Sequence, residues 1–128
     1  MKSIFSYFSM ILVVLVFASC GKDAENEKFF GTYIGSVDCD DDETYPTTIM
    51  ISAKGDSKTE VNFVIDSDDD TTTLTGKVSG STLTLNKTEI EEETFISGNG
   101  TLVGNTLTCS FIIEESPDSF TCIFIGTK

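Results

Sequence analysis

The chain has 128 residues and contains no histidine and no arginine. Without histidine, the ordinary pairing of a Ser or Cys nucleophile with an imidazole base is missing. The same absence, with no C-x-x-C spacing, removes the common zinc ligand sets and the thiol-redox motif. Eight lysines face 21 acids, for a formal net charge of −13. Nucleic acid is held by clustered Lys and Arg, so it is excluded as a partner. No Gly-rich phosphate loop or Walker pattern occurs. Paired carboxylates can hydrolyse glycosides, but these acids crowd into solvated stretches rather than standing in an apolar cleft. The expectation is that the protein is not an enzyme. Past the N-terminal segment no stretch has helical periodicity, apart from a short turn near Glu25–Phe29.

What is present begins with "MKSIFSYFSMILVVLVFASC". Lys2 precedes an apolar run from Met10 to Ala18, and small residues lead into Cys20. This is the layout of a secretory signal peptide, too short and wrongly flanked for a spanning helix. "VFASC" resembles the lipobox of bacterial lipoproteins, with Phe17 where a leucine is usual. The resemblance implies that residues 1–19 are removed and that Cys20 becomes a lipidated N-terminus. The alternative is an ordinary signal peptide with an incidental cysteine. Two or three acyl chains anchor stably, at ~0.8 kcal/mol per buried methylene. Residues 20–28 are polar and charged and read as a flexible tether. No aspartate directly follows Cys20, where an inner-membrane retention signal would lie. By resemblance this points to the outer membrane of a Gram-negative cell, on its periplasmic or surface side. The lipid, not a basic patch, would be the membrane contact.

Residues 29–128 alternate with period two, and runs of Val, Ile, Phe, Thr and Leu are separated by turn residues. Eight strands are expected: Phe30–Val37, Thr47–Ala53, Thr59–Ile65, Thr72–Ser79, Ser81–Lys87, Phe95–Val103, Asn105–Ile113 and Phe120–Gly126. Gly80-Ser81 and Gly104-Asn105 suit two-residue hairpin turns, which would set Val78 opposite Leu83 and Leu102 opposite Leu107. The two hairpin sequences look alike, through duplication or through convergence on a favourable turn. Short connections imply a meander, so the predicted fold is all-β, an eight-stranded antiparallel up-and-down barrel, with a sandwich as the alternative. The inward set is Tyr33, Val37, Ile49, Ile51, Val61, Phe63, Ile65, Leu74, Val78, Leu83, Leu85, Leu102, Leu107, Phe111, Ile113, Phe120 and Phe124. Gly35, Gly76, Gly98 and Gly100 share that face, and mark either bends or room inside.

"FGTYIGSV" resembles the Gly-x-aromatic opening of the first strand in lipocalin-like domains of bacterial lipoproteins, with Gly31 and Tyr33 in place. Tyr33 replaces the usual Trp, and no Arg is available to pack across it. The resemblance covers residues 29–128 as architecture. Such domains are mostly of unknown function.

The acids fall in four bursts, Asp38–Glu43, Asp66–Asp70, Glu89–Glu93 and Glu114–Ser119, which hold 16 of the 21. In a meander, alternate connections share an end, so these bursts form one acidic crown. Lys54, Lys58 and nearby Lys77 mark the other end, the base, with only Asp56 and Glu60 as acids. The first strand starts at the base beside the tether, so the crown points away from the membrane. Three uses fit the crown: solubility, docking of a basic partner, and Ca²⁺ binding by Asp40, Asp41, Asp42, Asp66, Asp68 and Asp70. The helix-pair calcium loop is excluded, because Thr71 and Lys77 stand where it needs glycine and glutamate.

Three cysteines remain beyond Cys20. Cys39 ends the first strand and Cys122 begins the eighth, so barrel closure brings them together. A Cys39–Cys122 bridge would contribute roughly 4–5 kcal/mol in the chain-entropy model, leaving Cys109 as a buried thiol. The rival pairing is Cys109–Cys122. The functional expectation is a lipid-anchored envelope binding or interaction module whose lumen holds a small apolar ligand. The alternative is a structural surface lipoprotein whose crown binds Ca²⁺ or a basic partner. Empty lumen volume favours the first and a filled lumen the second.

Overall fold

A computed structural model describes residues 24–39, 43–67 and 70–128. The expected signal segment, Cys20, and Asp40, Asp41, Asp42 and Asp68 lie outside the described residues. Eight strands form: β1 (Gly31–Cys39), β2 (Thr44–Ala53), β3 (Glu60–Ser67), β4 (Asp70–Ser79), β5 (Thr82–Glu91), β6 (Thr94–Val103), β7 (Thr106–Glu115) and β8 (Asp118–Thr127). Each pairs antiparallel with its sequence neighbours, and β1 also pairs with β8, closing the barrel in up-and-down order. The sandwich alternative is thereby set aside.

The hairpin registers follow the turn chemistry. Val78 lies opposite Leu83 and Leu102 opposite Leu107. Gly80 and Gly104 have φ of 62° and 61°, the left-handed region that glycine enters without a Cβ penalty.

The strands run further toward the crown than the apolar alternation suggested. β5 reaches Glu91 and β7 reaches Glu115, while β2 starts at Thr44 and β8 at Asp118. The ladder needs only backbone N–H and C=O groups, so it continues where the side chains have turned acidic. β5 carries a second departure. Its register with β6 shifts between Leu85 and Thr88 and again between Glu89 and Glu91, as β-bulges do. Leu83 and Leu85 face in before the first shift. After it, Thr88 pairs with the inward Ile96, and Lys87 is carried to the outer face.

The apolar interior contains every residue of the expected inward set, either buried or packed against the buried cluster. Phe29, Ile96, Cys109 and Cys122 join it as buried residues, and Phe30 and Cys39 pack against it. Phe29 comes from a single 3₁₀ turn, Glu27–Phe29, and is fully buried. Its carbonyl accepts the hydroxyl of Tyr33 at 2.8 Å. Asn26 ties this turn to the β2–β3 connection, its Nδ2 donating to the carbonyls of Ser57 and Glu60, both at 2.9 Å. Lys128 closes the same end, donating to the carbonyls of Lys28 and Phe30 at 2.6 and 2.9 Å. The base is therefore plugged.

The inward glycines mark close approach rather than room. A Cβ on Gly35 would stand 2.0 Å from the carbonyl oxygen of Ile125 on β8, far inside contact distance. The outer face is rich in Thr, Ser and Asn, with exposed aliphatics such as Ile34, Ile123, Ile125 and Val103 among them. A barrel that spans a bilayer needs the reverse, an apolar outer band.

Candidate functional site

The lower lumen is filled. Tyr33, Phe63 and Phe124 have no exposed surface, and the Phe63 and Phe111 rings meet edge-on at 6.0 Å, a favoured geometry for aromatic pairs. Above Phe111 the filling stops. A cavity of about 210 Å³ opens at the crown end, walled by Val37, Ile65, Ile90, Ile96, Phe111, Ile113 and the two cysteines Cys39 and Cys122. Thr47, Ser67, Asp70 and Thr72 supply its polar atoms. The volume lies below the roughly 300–1,000 Å³ of drug-sized sites, and above the about 150 Å³ of an apolar cavity that takes up benzene. The lumen is thus neither an open carrier cavity nor a wholly packed core.

The wall is positioned by the closure of the sheet. Cys39 and Cys122 are direct partners across β1 and β8, and they form a disulfide with Cα atoms 4.1 Å apart. Bridges of this kind persist in oxidising compartments. The rival Cys109–Cys122 pairing does not form, because Cys109 lies opposite Phe124, two residues along β8. Cys109 is a buried free thiol. Burial pushes its pKa up to about 12, which leaves it without thiolate character at neutral pH. Burial also pushes Tyr33 up to about 12, with a smaller contribution from Cys109.

The acids are brought to one end, as the meander requires, but their side chains part. Asp66 pairs with Thr71 on the outer face, and Ser67 with Asp70 on the inner. Asp66 Oδ1 accepts from Thr71 Oγ1 at 3.5 Å, while Asp70 reaches the cavity mouth. Both are exposed. Among the described residues no group of three His, Cys, Asp or Glu side chains is arranged to hold a metal ion; Asp40, Asp41, Asp42 and Asp68 lie outside that description.

A wider cleft of about 610 Å³ lies on the outer surface, between the tips of the β5–β6 and β7–β8 hairpins. Lys87 Nζ lies 2.7 Å from Glu114 and 5.2 Å over the Phe95 ring. With roughly half of each side chain exposed, the ion pair is worth little. This cleft is lined by Glu89, Glu93, Glu114 and Asp118 as well as Lys87, and water serves such groups well. The smaller mouth cavity is the better candidate, because its walls are apolar and the sheet surrounds it.

Sequence reasoning missed Ile90 and Ile96. Ile96 has the same parity as Gly98, Gly100 and Leu102, so alternation alone marks it as inward. Ile90 is found only if the apolar parity is seen to change along β5, from Leu83 and Leu85 to Thr88 and Ile90. That change is the bulge.

No family model and no curated protein matches the chain. Solved structures do match. EF1p2_mFAP2b, solved bound to DFHBI, is 10% identical with a TM-score of 0.64, over 83% of this chain and 98% of that one. The redesigned β-barrel mFAP1, also solved bound to DFHBI, is 13% identical with a TM-score of 0.64, over 82% and 99%. A "putative outer membrane protein" from Bacteroides fragilis is 20% identical with a TM-score of 0.62, over 84% of this chain but 54% of that longer one. At these identities the likeness is one of fold.

Proposed function

We propose that the protein is a lipid-anchored cell-envelope binding module that takes a small apolar ligand into the mouth of its barrel, and that it is not an enzyme. The observation that carries this reading is the 210 Å³ apolar cavity above a packed and plugged lower core. A barrel filled for stability alone has no reason to stop filling at Phe111. Two barrels of similar fold are described as bound to a small molecule, DFHBI. The anchor is read from Cys20 and its lipobox. A disulfide, a Thr-rich outer face and a base tied down by Asn26, close after Cys20 in the sequence, fit a domain held beside a membrane rather than within it. The outer membrane of a Gram-negative cell is the assigned location, in keeping with the description of the Bacteroides fragilis neighbour.

Native mass spectrometry of the protein purified from bacterial membranes tests both parts. The expected spectrum carries the mass of acyl chains on Cys20, lost in Cys20→Ser, and a small-molecule adduct of a size suited to the cavity. An adduct that persists in a variant filling the mouth, Ile96→Phe, overturns the cavity as the binding place. Protein without any small-molecule adduct, binding Ca²⁺ or a basic protein instead, favours the second reading. In that reading the module is a structural surface lipoprotein whose crown of 16 acids is the working surface.

A further inference from the structure

We infer that the mouth cavity selects a cation with a compact apolar body: a protonated amine carrying one ring or a short alkyl group. This rests on the proposed role of the cavity and specifies its ligand class. The cavity wall sets the body. Its volume of about 210 Å³ suits a single substituted ring and is too small for a long acyl chain.

The rim sets the charge. Among the described residues Asp70 is the one charged side chain that lines the cavity, beside the hydroxyl groups of Ser67 and Thr72. Thr47, also on the lining, already donates its hydroxyl to the Tyr45 carbonyl at 3.1 Å, so its oxygen offers acceptor capacity inward. No lysine among the described residues lines the cavity. Among the described residues Lys87 is the one cation in the crown half. The β5 bulge turns it outward, onto Glu114 and Phe95. A ligand with a carboxylate head therefore finds no counterion at the mouth, and it approaches through the field of the acidic bursts. An ammonium head finds Asp70 and is drawn in by the same field. Because Asp70 is exposed, the ion pair at the rim favours the ammonium over a neutral hydroxyl by at most about fivefold.

The test uses three probes of one shape: phenethylamine, phenethyl alcohol and phenylacetate. The full chain, labelled at isoleucine methyl groups and held in lipid nanodiscs, is titrated with each by NMR. Ile65, Ile90, Ile96 and Ile113 line the cavity. Ile34, Ile123 and Ile125 are exposed on the outer wall and report partition into lipid or onto the surface. The expected result is a saturable shift of the cavity methyls alone. Phenethylamine binds about fivefold more tightly than the alcohol, and phenylacetate is weakest. In Asp70→Asn the amine advantage falls to about twofold, while the unchanged outer methyl signals show that the barrel is intact. Equal binding of amine and alcohol, or an advantage that survives Asp70→Asn, overturns the charge selection and leaves the cavity as a neutral site. If no cavity methyl moves with any probe, or all methyls move together, the cavity reading itself fails.

Discussion

At the base, the turns at Gly80-Ser81 and Gly104-Asn105 are tight, the interior holds Phe29, Tyr33 and Phe63, and Asn26 and Lys128 tie the ends down. At the crown, the same strands run on into acids, β5 is bulged, and the interior is left partly empty behind the disulfide. A meander allows this division because its two ends share no connections. Every turn belongs wholly to one end, so composition there is tuned without touching the other. The base holds the tight packing, and the crown is free to carry charge and a cavity.

The strongest way to break the comparison is to release the crown. Replacing Cys39 and Cys122 together by Ala frees a loop with a sequence separation of 83. The expected loss is about 4.5 kcal/mol in the chain-entropy model, measured by chemical denaturation. A loss near zero would mean that the crown end holds its closure without the bridge.

Next comes a paired truncation. Phe63→Ala removes a fully buried ring from the packed region and is expected to cost about 4 kcal/mol. Ile90→Ala sits at the mouth with 36% of its surface exposed and is expected to cost about 1 kcal/mol. Similar costs at the two sites would remove the contrast between packed base and open crown.

The core thiol gives a pH signature. Cys109 is raised from 9.0 to about 12 in the fold. Below about pH 9 both folded and unfolded chains keep this proton. Above it the unfolded chain releases the proton while the folded chain holds it, so stability falls as pH rises toward about 12. Tyr33 adds a loss of the same sign, from 10.0 to about 12. Thermal melts across pH 8–12 are expected to show this decline, with a later onset in Cys109→Ala. An onset unchanged in that variant would assign the decline elsewhere.

The smallest effect belongs to the crown turn at Glu93, a non-glycine residue with φ of 63°. Glu93→Gly removes the Cβ penalty of the left-handed region and is expected to stabilise by about 1 kcal/mol, read as a raised melting temperature. Glu93→Val, β-branched, is expected to do the opposite.

The strand count, the inward set and the closing disulfide were legible because each rests on period two, which one residue of slippage would invert. The strand ends were not, because they were placed where apolar residues stop while the backbone ladder does not. Phe29 lies just ahead of the first expected strand, Phe30–Val37, so it was left out of the inward set although it shares the parity of Tyr33. The mouth cavity was invisible for a different reason. It is a shortfall of volume at one height of the barrel, and sequence lists side chains without the distances between them. Asp66 and Asp70 show the same limit. Their spacing suggested one site, yet the turn between them sends one outward and one in.

The outer ends of β1 and β8 and the disulfide have a mechanical meaning. Gly31, where β1 begins, and Thr127, where β8 ends, both lie at the base, while the bridge joins β1 to β8 at the far end. A pull on the N-terminal side peels β1 from Gly31 upward, one ladder rung at a time, as a zipper opens. Cys39 is the stop on that zipper. Tension can draw out the first strand but cannot detach it from β8, so the barrel stays covalently attached at its rim and can close again when the load is removed.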